Sequence, residues 1–326
     1  IMIIKQTLVL FISLLLSLLF ITKANATCEM TGDALNTSNG ITTPVNDLGD
    51  MGVGDACNYV PDTYQVEFYR MSLCTSNPDV AGEAQPDLSS CVDMLAETGA
   101  TTQVNIVGTT ETSLDVPDFT IPAGTYPYMV ARLSARLGIQ HAFEATTAVA
   151  YGDAGGVVQA AGTYCWTMNT VLTGIDNAAG QATPFGTTVN AGATNQSNMQ
   201  CSNTSTDVSN AEFSYEVVYV NDDSGCVGFD ATDGDRADAG NVGNGEAISR
   251  MMQSATTSAT SCTNTNSILW TIDLTTPLVV TDTSNFVMNF RTTDAVSIDF
   301  NGGAGGNPRI IKVGADPIQA YLTVTD

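Results

Sequence analysis

The sequence predicts an all-β protein built from antiparallel sheets. Apolar and polar residues alternate with a period of two in at least seven segments, and clusters of Gly, Pro, Asn and Asp separate these segments. Helical periodicity is scarce. At 326 residues and 43% hydrophobic, the chain is long enough to bury a full core. We therefore expect an antiparallel β-sandwich, immunoglobulin-like or jelly-roll-like, with long loops tied down by disulfides.

The chain opens with the pattern of a secretory signal peptide. Lys5 supplies a positive charge, residues 8–21 are apolar apart from two serines, and residues 24–26 have the small-x-small form of a cleavage site. We expect residues 1–26 to be removed, leaving residues 27–326 as a secreted, extracellular or cell-surface protein. The alternative is a retained anchor helix, but this apolar run is shorter than the roughly 20 residues that span a bilayer.

The longest alternating stretch runs from Met129 to Phe143. Its odd positions are apolar except for His141, and its even positions include two arginines and a glutamine. A side-chain period of two puts these two sets on opposite faces of a strand. We therefore expect one long strand that is buried on its odd face.

The same rule places the other strands along the chain. The first begins at Tyr64 and changes its apolar phase after Phe68, which predicts a β-bulge before the second apolar set of Tyr69, Met71 and Leu73. The later strands are expected over residues 213–219, 268–274, 286–290, 296–300 and 320–324. A short helix is expected over residues 87–97. The sequence leaves open whether residues 27–326 form one sandwich or two that divide near residues 151–156.

Turn-rich segments and one repeated tetrapeptide lie between the strands. Residues 174–207 and 221–244 are expected to be elaborated loops, each held by its cysteines. Ala-Gly-Thr-Tyr occurs at residues 123–126 and again at residues 161–164. We interpret it as a local device in which glycine permits a tight entry into a strand.

The charge of the chain excludes several classes of partner. It has 34 acidic residues against 10 basic ones, a formal charge of −24. Removal of residues 1–26 takes away Lys5 and Lys23 and makes the protein more acidic still. Such a protein repels phosphate backbones and anionic lipid surfaces, so we do not expect a nucleic-acid partner. Removal of residues 1–26 also takes away the one long apolar run at the start of the chain, so we expect no membrane span after signal cleavage.

All eight cysteines lie beyond the expected cleavage site. An even number of cysteines in an exported chain favours four disulfides. The sequence contains no Cys-x-x-Cys motif, which argues against a zinc ribbon and against a thiol oxidoreductase. The sequence does not fix the connectivity. Pairing of neighbours is favoured because each bond closes a short polar loop. The favoured pairs are Cys28–Cys57, Cys74–Cys91, Cys165–Cys201 and Cys226–Cys262.

One acidic stretch is a candidate calcium site. Its aspartates are Asp222, Asp223, Asp230, Asp233, Asp235 and Asp238. Dense oxygen ligands on a loop are what Ca²⁺ binds. The EF-hand spacing is not met, because with Glu246 as twelfth position Ala237 and Ala239 stand where oxygen ligands are required. Two interpretations remain, a calcium ion that stiffens the loop and a plain solvated acidic loop.

Little else in the sequence points to catalysis. His141 is the single histidine, and its place on an apolar strand face indicates a core residue rather than a general base. No Gly-x-Ser-x-Gly, Ser-x-x-Lys or His-Glu-x-x-His motif occurs, and no particular carboxylate pair is nominated for a glycosidase. We expect no enzymatic activity, no catalytic residues and no cofactor other than the candidate calcium.

Tyr126, Tyr128 or Trp166, if exposed, would stack on sugar rings.

The sequence resembles a broad group of secreted proteins in its general features. The signal peptide, a first long strand that ends at Cys74, an Ile-Pro-Ala-Gly-Thr-Tyr126 entry into another strand, and Ser-, Thr-, Asn- and Gly-rich loops resemble secreted all-β surface or fimbria-type proteins of Gram-negative bacteria. That resemblance implies a filament subunit, an adhesin or a surface-layer component.

Three functional hypotheses follow. The favoured one is an extracellular, non-enzymatic structural protein, a cell-surface or pilus-like filament subunit that assembles with itself or with other surface proteins. The alternative is a carbohydrate-binding adhesion module that uses loop aromatics and is assisted by calcium. A third, a pilin-like helix over residues 1–26, is disfavoured by Lys5. The C-terminal segment 318–325 is a better candidate for strand exchange than residues 27–40, which lack an alternating pattern.

Overall fold

The fold is taken from a computed structural model of the chain. It describes residues 27, 28, 30–37, 56–95, 102–107, 112–113, 120–151, 161–169, 171–173, 198–217, 229–261, 264–293, 295–301, 309–316 and 318–325. The expected signal peptide, the predicted Cys226–Cys262 pair and residues 152–156 of the division lie outside these ranges. No helix among these residues has the length and hydropathy to cross a bilayer.

Twenty-one strands dominate the described residues, so the prediction of a mostly β-sheet protein is confirmed. In chain order they are β1 (Met30–Thr31), β2 (Ala34–Leu35), β3 (Ala56–Tyr59), β4 (Thr63–Cys74), β5 (Cys91–Leu95), β6 (Thr102–Val107), β7 (Thr112–Ser113), β8 (Gly124–Ser134), β9 (Arg136–Gln140), β10 (Ala142–Tyr151), β11 (Gly162–Thr167), β12 (Val171–Thr173), β13 (Met199–Ser202), β14 (Ser214–Val217), β15 (Ala237–Asn241), β16 (Gly245–Met252), β17 (Ser267–Val280), β18 (Asn285–Arg291), β19 (Val296–Asn301), β20 (Arg309–Ala315) and β21 (Gln319–Thr325). Two short 3₁₀ helices, Leu88–Ser90 and Ser205–Asn210, complete the set.

The strands form three sheets. An eight-stranded sheet runs β1-β2-β10-β20-β19-β3, with β11 beside β10 and β13 beside β11. A ten-stranded sheet runs β12-β14-β9-β4-β8-β17-β16-β15, with β5 and β6 also beside β4. A three-stranded sheet has the order β21-β18-β7. Most pairs are antiparallel, and the ten-stranded sheet combines strands from both sides of residues 151–156.

The expected single strand from Met129 to Phe143 is interrupted twice, so that prediction is wrong in its continuity. The first break is a bulge at Ala135, between β8 and β9, which both pair with β4. The second break is at His141, where the chain leaves the ten-stranded sheet and enters the eight-stranded sheet. The predicted burial of the odd positions is nevertheless correct, because every odd residue from 129 to 143 is buried.

The bulge predicted in the first long strand is present in β4. The register with β8 shifts between Phe68 and Arg70, and the core positions change phase from Phe68 to Met71. Tyr69 does not join the core as expected. Its ring lies 4.8 Å from the guanidinium carbon of Arg132 on the other face of the sheet.

One hydrophobic core takes side chains from all three sheets. The Phe68 ring of the ten-stranded sheet lies 5.0 Å from the Phe290 ring of the three-stranded sheet, measured between centroids. Val149 and Ile298 bring the eight-stranded sheet into the same cluster. The alternating pattern of the sequence therefore fills one continuous interior.

The segment after β4 corrects another prediction. Residues 87–97 were expected to be helical, but a 3₁₀ turn over Leu88–Ser90 is followed by strand β5. Cys91 must lie directly opposite Cys74 on β4, and an extended backbone provides that register. The loop between these two cysteines packs Leu88 against a smaller apolar cluster on the outer face of the ten-stranded sheet.

Both predicted loop regions contain a short strand that the sequence pattern missed. In the first, β13 pairs with β11 over four residues. In the second, β15 pairs with β16 around a register shift between Asp238 and Gly240. Strand β15 is rich in Asp, Asn and Gly and shows no apolar alternation. Strand β13 alternates apolar Met199 and Cys201 with polar residues, but four residues are too few for the pattern to stand out in a turn-rich segment.

Candidate functional site

Two corners of the fold meet at His141. The chain passes from β3 to β4 through Pro61 and Asp62, and from β9 to β10 through His141, so both segments switch between the eight- and ten-stranded sheets. The Asp62 carboxylate accepts the Ala142 N–H at 2.7 Å and lies 3.5 Å from His141 Nδ1. These contacts join the two corners.

His141 lies in the interior, as expected for a core residue. Its side chain is 1% exposed, and its ring is flanked by Tyr59 at 4.8 Å and Phe143 at 5.6 Å between centroids. Neither ring nitrogen makes a hydrogen bond of ordinary length within the described residues. The His141 backbone is held instead, because its N–H donates to Thr167 Oγ1 and its carbonyl accepts the Thr167 N–H.

Two pKa shifts mark this corner. Burial works to raise the pKa of Asp62, but the adjacent His141 ring and the Ala142 N–H favour the charged carboxylate, and the pKa lies below its ordinary value. Burial, reinforced by the negative charges of Asp62 and Asp33, raises the pKa of Tyr59. The corner therefore holds a carboxylate that is charged at neutral pH beside a neutral phenol.

The candidate calcium aspartates are dispersed among local contacts. Asp222 and Asp223 lie outside the described residues. Asp230, Asp233 and Asp238 each accept a backbone N–H two or three residues further along the chain, from Thr232, Arg236 and Gly240. Asp235 is buried with a left-handed backbone, φ 54°, and accepts the Asp230 N–H. Within the described ranges, no three acidic, His or Cys side chains group as metal ligands.

A buried ion cluster ties the loop after β4 to strand β16. Arg250 is fully buried and donates to Asp79 Oδ1 from both Nε, at 3.0 Å, and Nη2, at 2.5 Å. Arg236 donates to the same oxygen at 3.2 Å. Arg250 also donates to the Glu83 carbonyl and to Ser258 Oγ. The cluster fastens the Cys74–Cys91 loop onto the outer face of the ten-stranded sheet.

Three disulfides join neighbouring segments of backbone. Cys74 faces Cys91 across β4 and β5, and Cys165 faces Cys201 across β11 and β13. Cys28 forms a disulfide with Cys57, and the Cys28 N–H donates to the carbonyl of Asn58, the residue that follows Cys57. These are three of the four pairs that the spacing favours. Such bonds persist in an oxidising, extracellular setting.

A polar groove lies beside the His141 corner, and we call it the Trp166 groove. Its cavity volume is about 600 Å³. It is lined by Trp166, Met168, Gln200, Ser202, Asp207, Ser209, Asn210, Ala211 and Glu212. Trp166 and Gln200 are register partners on β11 and β13, next to the Cys165–Cys201 disulfide. The 3₁₀ helix Ser205–Asn210 supplies part of the opposite wall.

Hydrogen bonds fix the walls of the groove. Ser202 donates to Asp207 Oδ2 at 2.7 Å, which holds the 3₁₀ helix against β13. The Glu212 N–H donates to the Thr167 carbonyl, and Thr167 Oγ1 donates to the Glu212 carbonyl at 2.7 Å. Glu212 Oε2 accepts the Asn169 N–H at 3.3 Å. The groove is therefore preformed, and it presents amides, carboxylates and hydroxyls beside the mostly buried Trp166.

Of the three aromatic residues considered for sugar stacking, only Trp166 lines this groove. Tyr126 is 3% exposed and donates its hydroxyl to the Pro122 carbonyl, and Tyr128 packs against the outer cluster of the ten-stranded sheet. Sequence reasoning missed Gln200, Asp207 and Glu212. A signal existed, because the favoured Cys165–Cys201 pairing places Gln200 beside Trp166.

Comparison of the chain with protein families, with curated proteins and with solved structures finds no match.

Proposed function

We propose that this chain is a secreted, extracellular structural protein without enzymatic activity, a cell-surface or filament subunit that assembles with its own copies or with other surface proteins. One observation carries the proposal. Each described disulfide joins two segments that are also hydrogen-bonded or register partners, such as Cys74 with Cys91 and Cys165 with Cys201. To separate these segments, a force must break a covalent disulfide as well as the backbone hydrogen bonds between them. This suits a durable scaffold outside the cell.

The proposed architecture is a β-sandwich. Its support is the contact of the ten- and three-stranded sheets within one core, where the Phe68 and Phe290 ring centroids are 5.0 Å apart. A second support is Tyr126, whose hydroxyl donates to the carbonyl of Pro122 four residues earlier at 2.8 Å. A similar backward hydrogen bond forms the tyrosine corner of immunoglobulin-like sandwiches.

The sheet edges bear on how copies would associate. Strand β15 ends the ten-stranded sheet and carries a register shift beside Asp238, and bulges and charges at an edge oppose strand addition. On β21, the outward N–H groups of Ala320 and Leu322 already donate to the Val242 carbonyl and the Asn244 side chain. Assembly through side-chain faces, head to tail, is therefore favoured over exchange of the C-terminal strand.

Electron microscopy tests this proposal. Protein recovered unreduced from the outside of its own cells should form regular filaments or surface arrays in negative stain. Cell fractionation should place the chain outside the cytoplasm. Dispersed single particles at high protein concentration, at both low and high salt, would overturn the assembly proposal.

A further inference from the structure

We propose that the Trp166 groove binds an uncharged saccharide. This inference goes beyond a structural role, because it assigns a ligand site and the chemical class of the ligand. It rests on the size of the groove, the hydrogen-bonding groups that it leaves open, its fixed walls and its charge.

The groove has the dimensions of a small-molecule site. Its volume of about 600 Å³ lies within the range of roughly 300–1,000 Å³ that is usual for ligand pockets. It is set at the junction of β11, β13 and the Ser205–Asn210 turn, where backbone from separate elements meets. The lining residues therefore come from separate elements that converge on one open groove.

The open polar groups match sugar hydroxyls. Within the described residues, the side-chain amides of Gln200 and Asn210 make no hydrogen bond, and each offers donors and an acceptor. Asp207 uses Oδ2 for Ser202, and Glu212 uses Oε2 for the Asn169 N–H, which leaves a second carboxylate oxygen on each side chain. Trp166 adds an apolar edge and an indole N–H, although only 5% of its surface is exposed.

The walls of the groove are held before any ligand arrives. The Cys165–Cys201 disulfide fixes the strand pair that carries Trp166 and Gln200. The Ser202 to Asp207 hydrogen bond of 2.7 Å holds the facing turn. Preorganisation lowers the entropy that binding would otherwise cost, so a few hydrogen bonds suffice for measurable affinity.

The charge of the groove selects among sugars. Asp207 and Glu212 are both acidic, and none of the described lining residues is a lysine or arginine that could pair with a sialic acid carboxylate or a sulfate. The whole chain carries a formal charge of −24, which adds a long-range repulsion of anionic glycans. An uncharged saccharide meets neither penalty and gains acceptors for its hydroxyls.

A glycan array probed with the full, unreduced chain tests the assignment. Neutral hexose oligosaccharides should bind, and their sialylated or sulfated counterparts should bind at least about tenfold more weakly. The contacts are then tested by titration calorimetry with the best neutral glycan. The double variant Gln200→Ala/Asn210→Ala should lose affinity about tenfold or more. Trp166→Phe, which removes the indole N–H together with part of the ring of a mostly buried side chain, should lose less.

The control is Gln253→Ala, which removes an exposed amide outside the groove and should leave affinity unchanged. Circular dichroism checks that each variant keeps its β-sheet signal. Absence of binding by any neutral glycan at millimolar concentration would overturn the proposal, as would equal affinity of the double variant and the parent. Preference for sialylated or sulfated glycans would overturn the ligand class.

Discussion

Gly162 illustrates how closely the backbones of β11 and β13 approach at the edge of the groove. A Cβ built on Gly162 would lie 2.1 Å from the Ser202 carbonyl oxygen, a backbone atom that cannot rotate away. Gly124 occupies the same place in the other Ala-Gly-Thr-Tyr repeat, yet its Cβ would meet the Tyr126 ring no closer than 3.6 Å. The repeated tetrapeptide therefore serves a steric need at only one of its two occurrences.

Gly162→Ala should lower the free energy of unfolding by about 1–3 kcal/mol, because the added methyl forces the β11–β13 pair apart. The matched variant Gly124→Ala should change it by less than about 0.5 kcal/mol. Urea denaturation followed by tryptophan fluorescence measures both. Equal effects of the two substitutions would show that the close approach at Ser202 does not exist.

Asp79 is a second residue with an outsized structural effect. Asp79→Asn should destabilise the protein by about 3 kcal/mol, because Arg250 would stay buried with its charge uncompensated. Asp93→Asn removes the half-buried partner of Arg70 and should cost less than about 1 kcal/mol. Thermal and urea unfolding of both variants give the comparison. A smaller effect for Asp79 than for Asp93 would contradict the buried ion cluster.

Asp62 should make the corner contact sensitive to acid. Its pKa is lower in the folded chain than in the unfolded one, so the stability it contributes is present above the ordinary Asp pKa of about 3.9 and is lost as the pH falls through the folded value. Asp62→Asn should therefore cost a little stability at pH 6, under about 1 kcal/mol, and progressively less below about pH 4.

Stability curves from pH 6 to pH 2.5 test this expectation. Asp282→Asn, in an exposed turn, is the matched control for an aspartate-to-asparagine change away from the corner. A loss in Asp62→Asn that stays constant down to pH 2.5 would mean that the carboxylate charge does not stabilise the corner.

At the scale of elements, the disulfides are the feature with the clearest energetic consequence. In the chain-entropy account, removing Cys74–Cys91, which spans 17 residues, should cost about 3 kcal/mol. Removing Cys165–Cys201, which spans 36 residues, should cost about 4 kcal/mol. Paired Cys→Ser variants in urea measure both values. A clearly larger loss for the shorter loop would indicate that local packing, rather than chain entropy, sets the effect.

Alternation predicted which residues are buried better than where strands begin and end. The odd positions from Met129 to Phe143 are all buried, yet the bulge at Ala135 and the corner at His141 were not visible, because each depends on which strand lies alongside. β15 was missed for a related reason. Its Asp- and Gly-rich sequence is extended only because β16 supplies a partner.

The groove was less predictable than the sheets. Trp166 was singled out from its side-chain type alone, whereas Asp207 and Glu212 come from a segment whose residues carry no periodic signal. Their convergence depends on the turn Ser205–Asn210 folding back over β13. No local sequence pattern predicts that this turn folds back over β13.

At the scale of the whole molecule, the arginines pair with other side chains of the same chain. Each arginine with a described side chain contacts a carboxylate or an aromatic ring of the same chain: Arg70 with Asp93, Arg132 with Tyr69, Arg136 with Tyr215, Arg236 and Arg250 with Asp79, and Arg291 with Tyr321. The acidic excess of the sequence therefore dominates the solvent-facing charge. Copies of the chain repel one another unless salt screens them.

Sedimentation velocity of the native, unreduced protein over a range of concentrations, at about 0.01 M and about 1 M NaCl, is the most direct test of a self-assembling extracellular scaffold. The screening length falls from about 30 Å to about 3 Å between these conditions. We expect a monomer at low salt and growing, concentration-dependent assemblies at high salt. A single monomer boundary at every concentration in both salts would contradict it.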